Sequence, residues 1–185
     1  MSFAQNLVAA VETLQSLAPL EPTINRAGEL LLSTLRSGHK ILVAGNGGSA
    51  AEASHFATEL AGRYFKDRRA LPAIALSADG SLVTCIGNDY GFDTVFARQV
   101  AALGQPGDLL IVISSSGNST NLLRALDAAK AGSLATLALL GRSGGKAAGR
   151  ADVEIIVPGA SGARAQEIHL FLIHHFCDQI DAAFD

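Results

Sequence analysis

The sequence predicts an α/β fold in which a five-stranded parallel sheet is covered by helices on both faces and preceded by a helical extension. Three observations carry that expectation. Short, continuous apolar runs near residues 40–44, 73–76, 108–113, 134–140 and 153–157 alternate with helix-forming stretches, the pattern of strands buried on both faces. Glycine- and serine-rich corners follow the first and third runs. Two helical stripes occupy the 38 residues before the first strand.

Phe3 to Leu17 places Leu7, Val8, Val11, Leu14 and Leu17 on one helical face and stops before Pro19. Pro22 opens a second helix whose apolar side is Ile24, Ala27, Leu30, Leu31 and Leu35, with Gly38 as its carboxyl cap. Residues 1–38 are thus expected to serve oligomerisation, and residues 39–185 to form a ligand-binding core within one domain. The strand Lys40–Ala44 runs into Gly45-Asn46-Gly47-Gly48-Ser49 and then the helix Ala50–Ala61, with Ser49 placed to cap it. Asn88-Asp89-Tyr90-Gly91 reads as a polar turn after the second strand. The strand Asp108–Ile113 leads into Ser114-Ser115-Ser116-Gly117-Asn118-Ser119 and the helix Thr120–Ala131, and a final helix runs from about Ala163 to Ala183.

Composition narrows the function classes. Of 185 residues, 49% are hydrophobic and 17% charged, enough for a large core and suggestive of surface lost to other subunits. The net charge is −3 with no basic run longer than Arg68-Arg69, which argues against a nucleic-acid partner. Cys85 and Cys177 match no metal or redox spacing and are expected as buried free thiols in a reducing compartment. With no leader pattern and no apolar stretch near eighteen residues, no membrane association and a cytoplasmic location are expected.

Both corners fall where a parallel strand hands over to a helix, so unpaired helix amides and hydroxyls meet there and suit a phosphoryl group. The first corner also satisfies the loose dinucleotide fingerprint G-x-G-x-x-A. That reading lacks its acidic partner: Asp67 lies in a charged loop, and Asp79 comes after the strand Ala73–Leu76. A small sugar phosphate fits two hydroxyl-rich corners better. His55 and Glu59 are four apart and share a helix face; a plain surface pair, a general base with its neighbour, and half of a metal site all remain open. Arg63 is either a solvated charge or a fork for phosphate and sugar hydroxyls, and Asn88 and Asp89 suit sugar hydroxyls. His39 reads as structural or exposed. Of His169, His174 and His175, not all can face one way, and Gln166, Leu170 and His174 form one stripe.

Five segments together resemble the sugar isomerase (SIS) domain family in its sedoheptulose-7-phosphate isomerase branch: Ala44–Ser49, His55–Tyr64, Ile86–Gly91, Ile113–Ser119 and Gln166 through His174. The resemblance spans the whole chain. It implies a flavodoxin-like three-layer sandwich, a homotetramer with active sites shared between subunits, and conversion of sedoheptulose 7-phosphate to D-glycero-D-manno-heptose 7-phosphate, the first step towards nucleotide-activated heptose for lipopolysaccharide. By motif position it assigns Glu59 as the catalytic carboxylate and His174 as the catalytic histidine. Ser49, Ser114, Ser115, Ser116 and Ser119 match phosphate-binding hydroxyls, and Asn46, Gly47, Arg63, Asn88, Asp89 and Gln166 match substrate contacts. It also implies a zinc ion held by His55, Glu59, Gln166 and His174. Ala163 stands where certain members carry an aspartate. The rival is a non-catalytic SIS tetramer that binds the bacterial replication initiator; in that group the positions of Glu59 and His174 lack the acid and the imidazole.

Overall fold

The computed structural model describes residues 2–159 and 161–184. The extension begins with a reciprocal cap, in which Gln5 N donates to Ser2 Oγ at 3.3 Å and Ser2 N donates to Gln5 Oε1 at 2.7 Å, satisfying amides that the first helical turn leaves free. The helix it opens, α1 (Phe3–Gln15), buries none of its residues. Phe3, Leu7, Val8, Val11 and Leu14 all stay exposed. In α2 (Glu21–Arg36) Pro22 sits in the first turn, and the chain leaves through Gly38 at φ 79°, the left-handed exit that glycine takes without steric cost.

Five strands follow, β1 (Ile41–Gly45), β2 (Ala73–Ala75), β3 (Leu109–Ser114), β4 (Ala135–Gly141) and β5 (Val153–Val157), all parallel in the order β2-β1-β3-β4-β5. Every boundary lies within a residue of the expected one, and β1, β3 and β4 are apolar and buried on both faces. Alternate side chains point to opposite cores. Ile41, Val43, Leu109, Ile111 and Leu137 pack with α2, α3 (Gly48–Ala61) and α7 (Gly162–Ala183). Leu42, Ala44, Leu110, Val112 and Ala138 pack with α4 (Gly80–Tyr90), α5 (Val95–Leu103) and α6 (Thr120–Ala131). The result is the expected three-layer sandwich. Because β1 lies between β2 and β3, the winding reverses at the β1/β3 border, the position where open α/β sheets bind ligands.

Three local expectations are corrected. Ser49 does not cap α3: Gly47 stands at the cap with φ 56°, and Ser49 is buried inside the first turn. Asn88, Asp89 and Tyr90 form the last turn of α4 rather than a loop, and the reversal falls on Gly91 at φ 86°. Cys177 is buried, its thiol pushed up to about 12 by desolvation and then by Glu59 and Asp181, but Cys85 is exposed on α4. Among the described residues no helix is long and apolar enough to cross a membrane.

Candidate active site

The loops after β1 and β3 open at the same point of the sheet and line a pocket of about 150 Å³ with Asn46, Ser49, Ser114, Ser115, Ser116, Ser119 and Gln166. Hydrogen bonds inside the loops fix its shape. The Asn46 and Asn121 amides exchange two bonds of 2.9 Å, tying one corner to the other. Gly117 N donates to Ser114 Oγ at 3.0 Å, and Gly117 itself turns at φ 64° against the Gly144 carbonyl, where no side chain fits. Ser119 stands at the cap of α6, its carbonyl accepting from Leu122 N and Leu123 N while its hydroxyl makes no cap bond, so that hydroxyl and the amides before Leu122 are left for a ligand. None of the pocket's lining side chains is basic. A dianion is met here by amides and hydroxyls alone.

Beside it, α3 and α7 bring together the groups able to move protons. His55 Nε2 and His174 Nε2 are 2.9 Å apart, with one ring donating to the other, and His55 Nε2 lies 3.5 Å from Glu59 Oε1. Tyr64 stacks on His174, ring centroids 5.7 Å apart and planes 28° from parallel. Desolvation, then Asp178 and other nearby acids, raises the Tyr64 hydroxyl above its ordinary range. A second opening of about 300 Å³ is lined by Ala51, Glu52, His55, Leu170 and His174. The stripe expected on α7 therefore runs from one opening to the other, with Gln166 in the hydroxyl pocket and His174 beside His55.

Not every expected residue converges within one chain. Gln166 lies against Gly48 at the start of α3 and lines the hydroxyl pocket, away from the opening beside His55 and His174. Three of the four expected zinc ligands thus meet, and the two imidazole nitrogens at 2.9 Å stand closer than the roughly 3.3 Å that tetrahedral bonds of about 2.05 Å set between donors. Among the described residues no group of three or more His, Cys, Asp or Glu side chains forms a metal-holding cluster. Arg63 is exposed just past α3 and lines neither opening. Asp89 lines a different and larger cavity of about 400 Å³ under α4 and α5, with Cys85, Tyr90 and Arg98. That cavity holds no imidazole and lies on the other face of the sheet; Asn88 is exposed beside it, donating to Asp89 Oδ1 at 2.8 Å.

Sequence reasoning passed over Glu52 and undervalued His169. Glu52 is three residues before His55 and so on the same face of α3, which was the available signal. Burial raises its carboxyl to about 7, with the Ser49 side chain opposing. Its Oε2 is 3.9 Å from Nδ1 of the fully buried His169, and neither that oxygen nor either His169 nitrogen has a hydrogen-bond partner. Burial lowers the His169 imidazole to about 4, against a weaker opposing pull from the Leu140 backbone. Asn121 was also invisible, since its partner lies 75 residues away.

Comparison with known proteins agrees with this geometry. Residues 3–141 match the SIS domain family. The phosphoheptose isomerase of Thiobacillus denitrificans is 51% identical over 177 residues, covering 94% of this chain and 90% of that protein. The solved structure of the phosphoheptose isomerase GmhA from Neisseria gonorrhoeae superposes with a TM-score of 0.91 at 45% identity, over 97% of this chain and 96% of that one. That of a phosphoheptose isomerase from Francisella tularensis gives 0.93 at 38% identity over the same shares. Since these similarities run through the helical extension as well as the sandwich, the chain belongs to the SIS domain family, in its phosphoheptose isomerase branch.

Proposed function

We propose that the chain is a ketose–aldose isomerase that converts sedoheptulose 7-phosphate to D-glycero-D-manno-heptose 7-phosphate, with Glu59 and His174 carrying the proton transfers. The observation that supports this most is the meeting of His55 and Glu59 from α3 with His174 from α7, next to a hydroxyl-lined pocket at the switch point of the sheet. The serine loops hold the phosphate, and that remote binding energy fixes the reacting end of the sugar. Glu59 takes the proton from C1 of the ketose and returns it to C2 of the enediol. His174 moves the matching proton between the two oxygens, giving it to O2 and receiving it from O1, so that atoms and charge balance. Tyr64 packs its ring against that of His174, and His55 shares a hydrogen with it.

His55, Glu59 and His174, with Gln166 of a neighbouring subunit, are the residues that would hold a zinc ion, but only once the two imidazoles move apart and at the cost of competing with Glu59 for its work as the base. Such an ion would supply Lewis-acid polarisation of the substrate's oxygens. The reading also includes a homotetramer with shared sites, a cytoplasmic location, and a product that feeds nucleotide-activated heptose for lipopolysaccharide. Incubation with sedoheptulose 7-phosphate in D₂O tests the core of it. An aldoheptose 7-phosphate carrying deuterium at C2 is expected by NMR, because a carboxylate base exchanges its proton with solvent. No aldoheptose after prolonged incubation with folded protein overturns the reading.

A further inference from the structure

The segment between α3 and β2 crosses the end of α7, and a buried ion pair pins it there. Arg68 and Asp181 are 8% and 4% exposed, and Arg68 Nε donates to Asp181 Oδ1 at 2.9 Å. The guanidinium reaches further. Nη1 donates to the carbonyls of Leu60 and Arg69, both at 3.0 Å, and Nη2 to the carbonyl of Glu59 at 2.7 Å. Leu60 and Glu59 belong to the last turn of α3, whose carbonyls have no partner within the helix, so Arg68 acts as a carboxyl-end cap supplied from outside. Asp181 uses its other oxygen to accept from Phe65 N at 2.9 Å and Lys66 N at 3.0 Å. Although burial pushes its carboxyl up, the Lys66 and Phe65 amides and Arg68 outweigh that and hold it below the usual carboxylate range.

What this knot holds is the proton-transfer pair. One arm grips the backbone of Glu59 itself. The other grips Phe65 and Lys66, next to Tyr64, whose ring lies on His174. Asp181 is seven residues beyond His174, so two turns of α7 put both on nearly the same face. Six hydrogen bonds from one pair thus fix three segments: the end of α3, residues 63–69 and the end of α7. Apolar contact would hold them together without fixing their angles.

We propose that Arg68 and Asp181 are a positioning pair for the isomerisation, setting the separation of Glu59 and His174 and the orientation of the His174 ring. The inference rests on the assignment of those two residues as the acid/base pair. None of the residues lining the phosphate pocket belongs to the knot, so loosening it disturbs the reacting end of the sugar while leaving the phosphate end in place. Asp181→Asn and Arg68→Lys are therefore assayed with sedoheptulose 7-phosphate across pH, alone and in a Glu59→Gln background. Arg68→Lys keeps the charge beside Asp181 but cannot fork, which guards against a variant that merely fails to fold; circular dichroism checks both.

Expected is a fall in kcat of about tenfold to a hundredfold, the scale of a misplacement near 1 Å. KM should stay within about twofold and the limbs of the pH–rate profile should move, as for a group acting in the transition state. In the Glu59→Gln background the same changes should cost little more, because groups acting as a unit are not additive. A folded variant with the parent's kcat and pH profile, in a protein that Glu59→Gln inactivates, overturns the positioning role alone. Parent-like turnover of Glu59→Gln itself overturns the acid/base assignment, and this inference with it.

Discussion

At the scale of single residues, the site sets groups proposed to exchange protons with substrate beside groups whose titration burial displaces. Glu59 and His174 are of the first kind, and loss of a positioned acid or base costs about a hundredfold to ten-thousandfold in rate. Glu59→Gln and His174→Gln should fold like the parent and fall by that factor in kcat; near-parent turnover removes the assignment. Glu52 and His169 are of the second kind. The Glu52 carboxyl is raised from 4.5 to about 7, so across that window the folded chain keeps a proton that the unfolded chain releases, and stability falls as pH rises. The His169 imidazole is lowered from 6.5 to about 4, so the unfolded chain takes a proton that the folded one refuses, and stability falls as pH drops through that range. The two slopes oppose each other between the lower limit of the first and the upper limit of the second. Glu52→Gln removes one of them: its melting temperature should exceed the parent's above neutral pH and decline more steeply on acidification. Parallel melting curves for the two proteins contradict the account.

At the scale of elements, what was legible in the sequence was whatever two-sided burial or a single capping residue controls. The strands were readable because both faces of β1, β3 and β4 are buried, leaving uninterrupted apolar runs. α4 was misread at its end because Asn88 and Asp89 are turn formers that a last helical turn also tolerates, and the informative residue was Gly91 at φ 86°. Long-range polar partnerships left no local trace at all: Arg68 meets Asp181 across 113 residues, and Asn46 meets Asn121 across 75. The loop after β3 was legible as a hydroxyl-rich corner between strand and helix, yet the reason for Gly117 appears only in three dimensions. A Cβ there would overlap the Gly144 carbonyl, and the left-handed backbone alone costs about 1–2 kcal/mol for another residue. Gly117→Ala should lower the melting temperature and raise KM by displacing Ser116 and Ser119; a parent-like KM and melting temperature argue against that role.

At the scale of the whole molecule, the protomer carries more apolar surface than its own sandwich covers. None of the residues of α1 is buried, with Phe3 81% exposed, and an unpartnered stripe of this kind is the basis on which a homotetramer is proposed. Light scattering should report about four chains, and a fully active monomer at micromolar concentration contradicts shared sites. The stripe on α7 has a different reach. A helix rises by a fixed step, so the backbone positions of Gln166, in the hydroxyl pocket, and His174 lie about 12 Å apart along α7, a spacing proposed to gauge the length of the substrate. A ketose phosphate one carbon shorter misses by up to one bond of about 1.5 Å, and errors near 1 Å cost about a hundredfold. D-Fructose 6-phosphate should therefore occupy the serine pocket and compete with the heptulose, yet turn over at about a hundredth of its rate: the helix counts carbons.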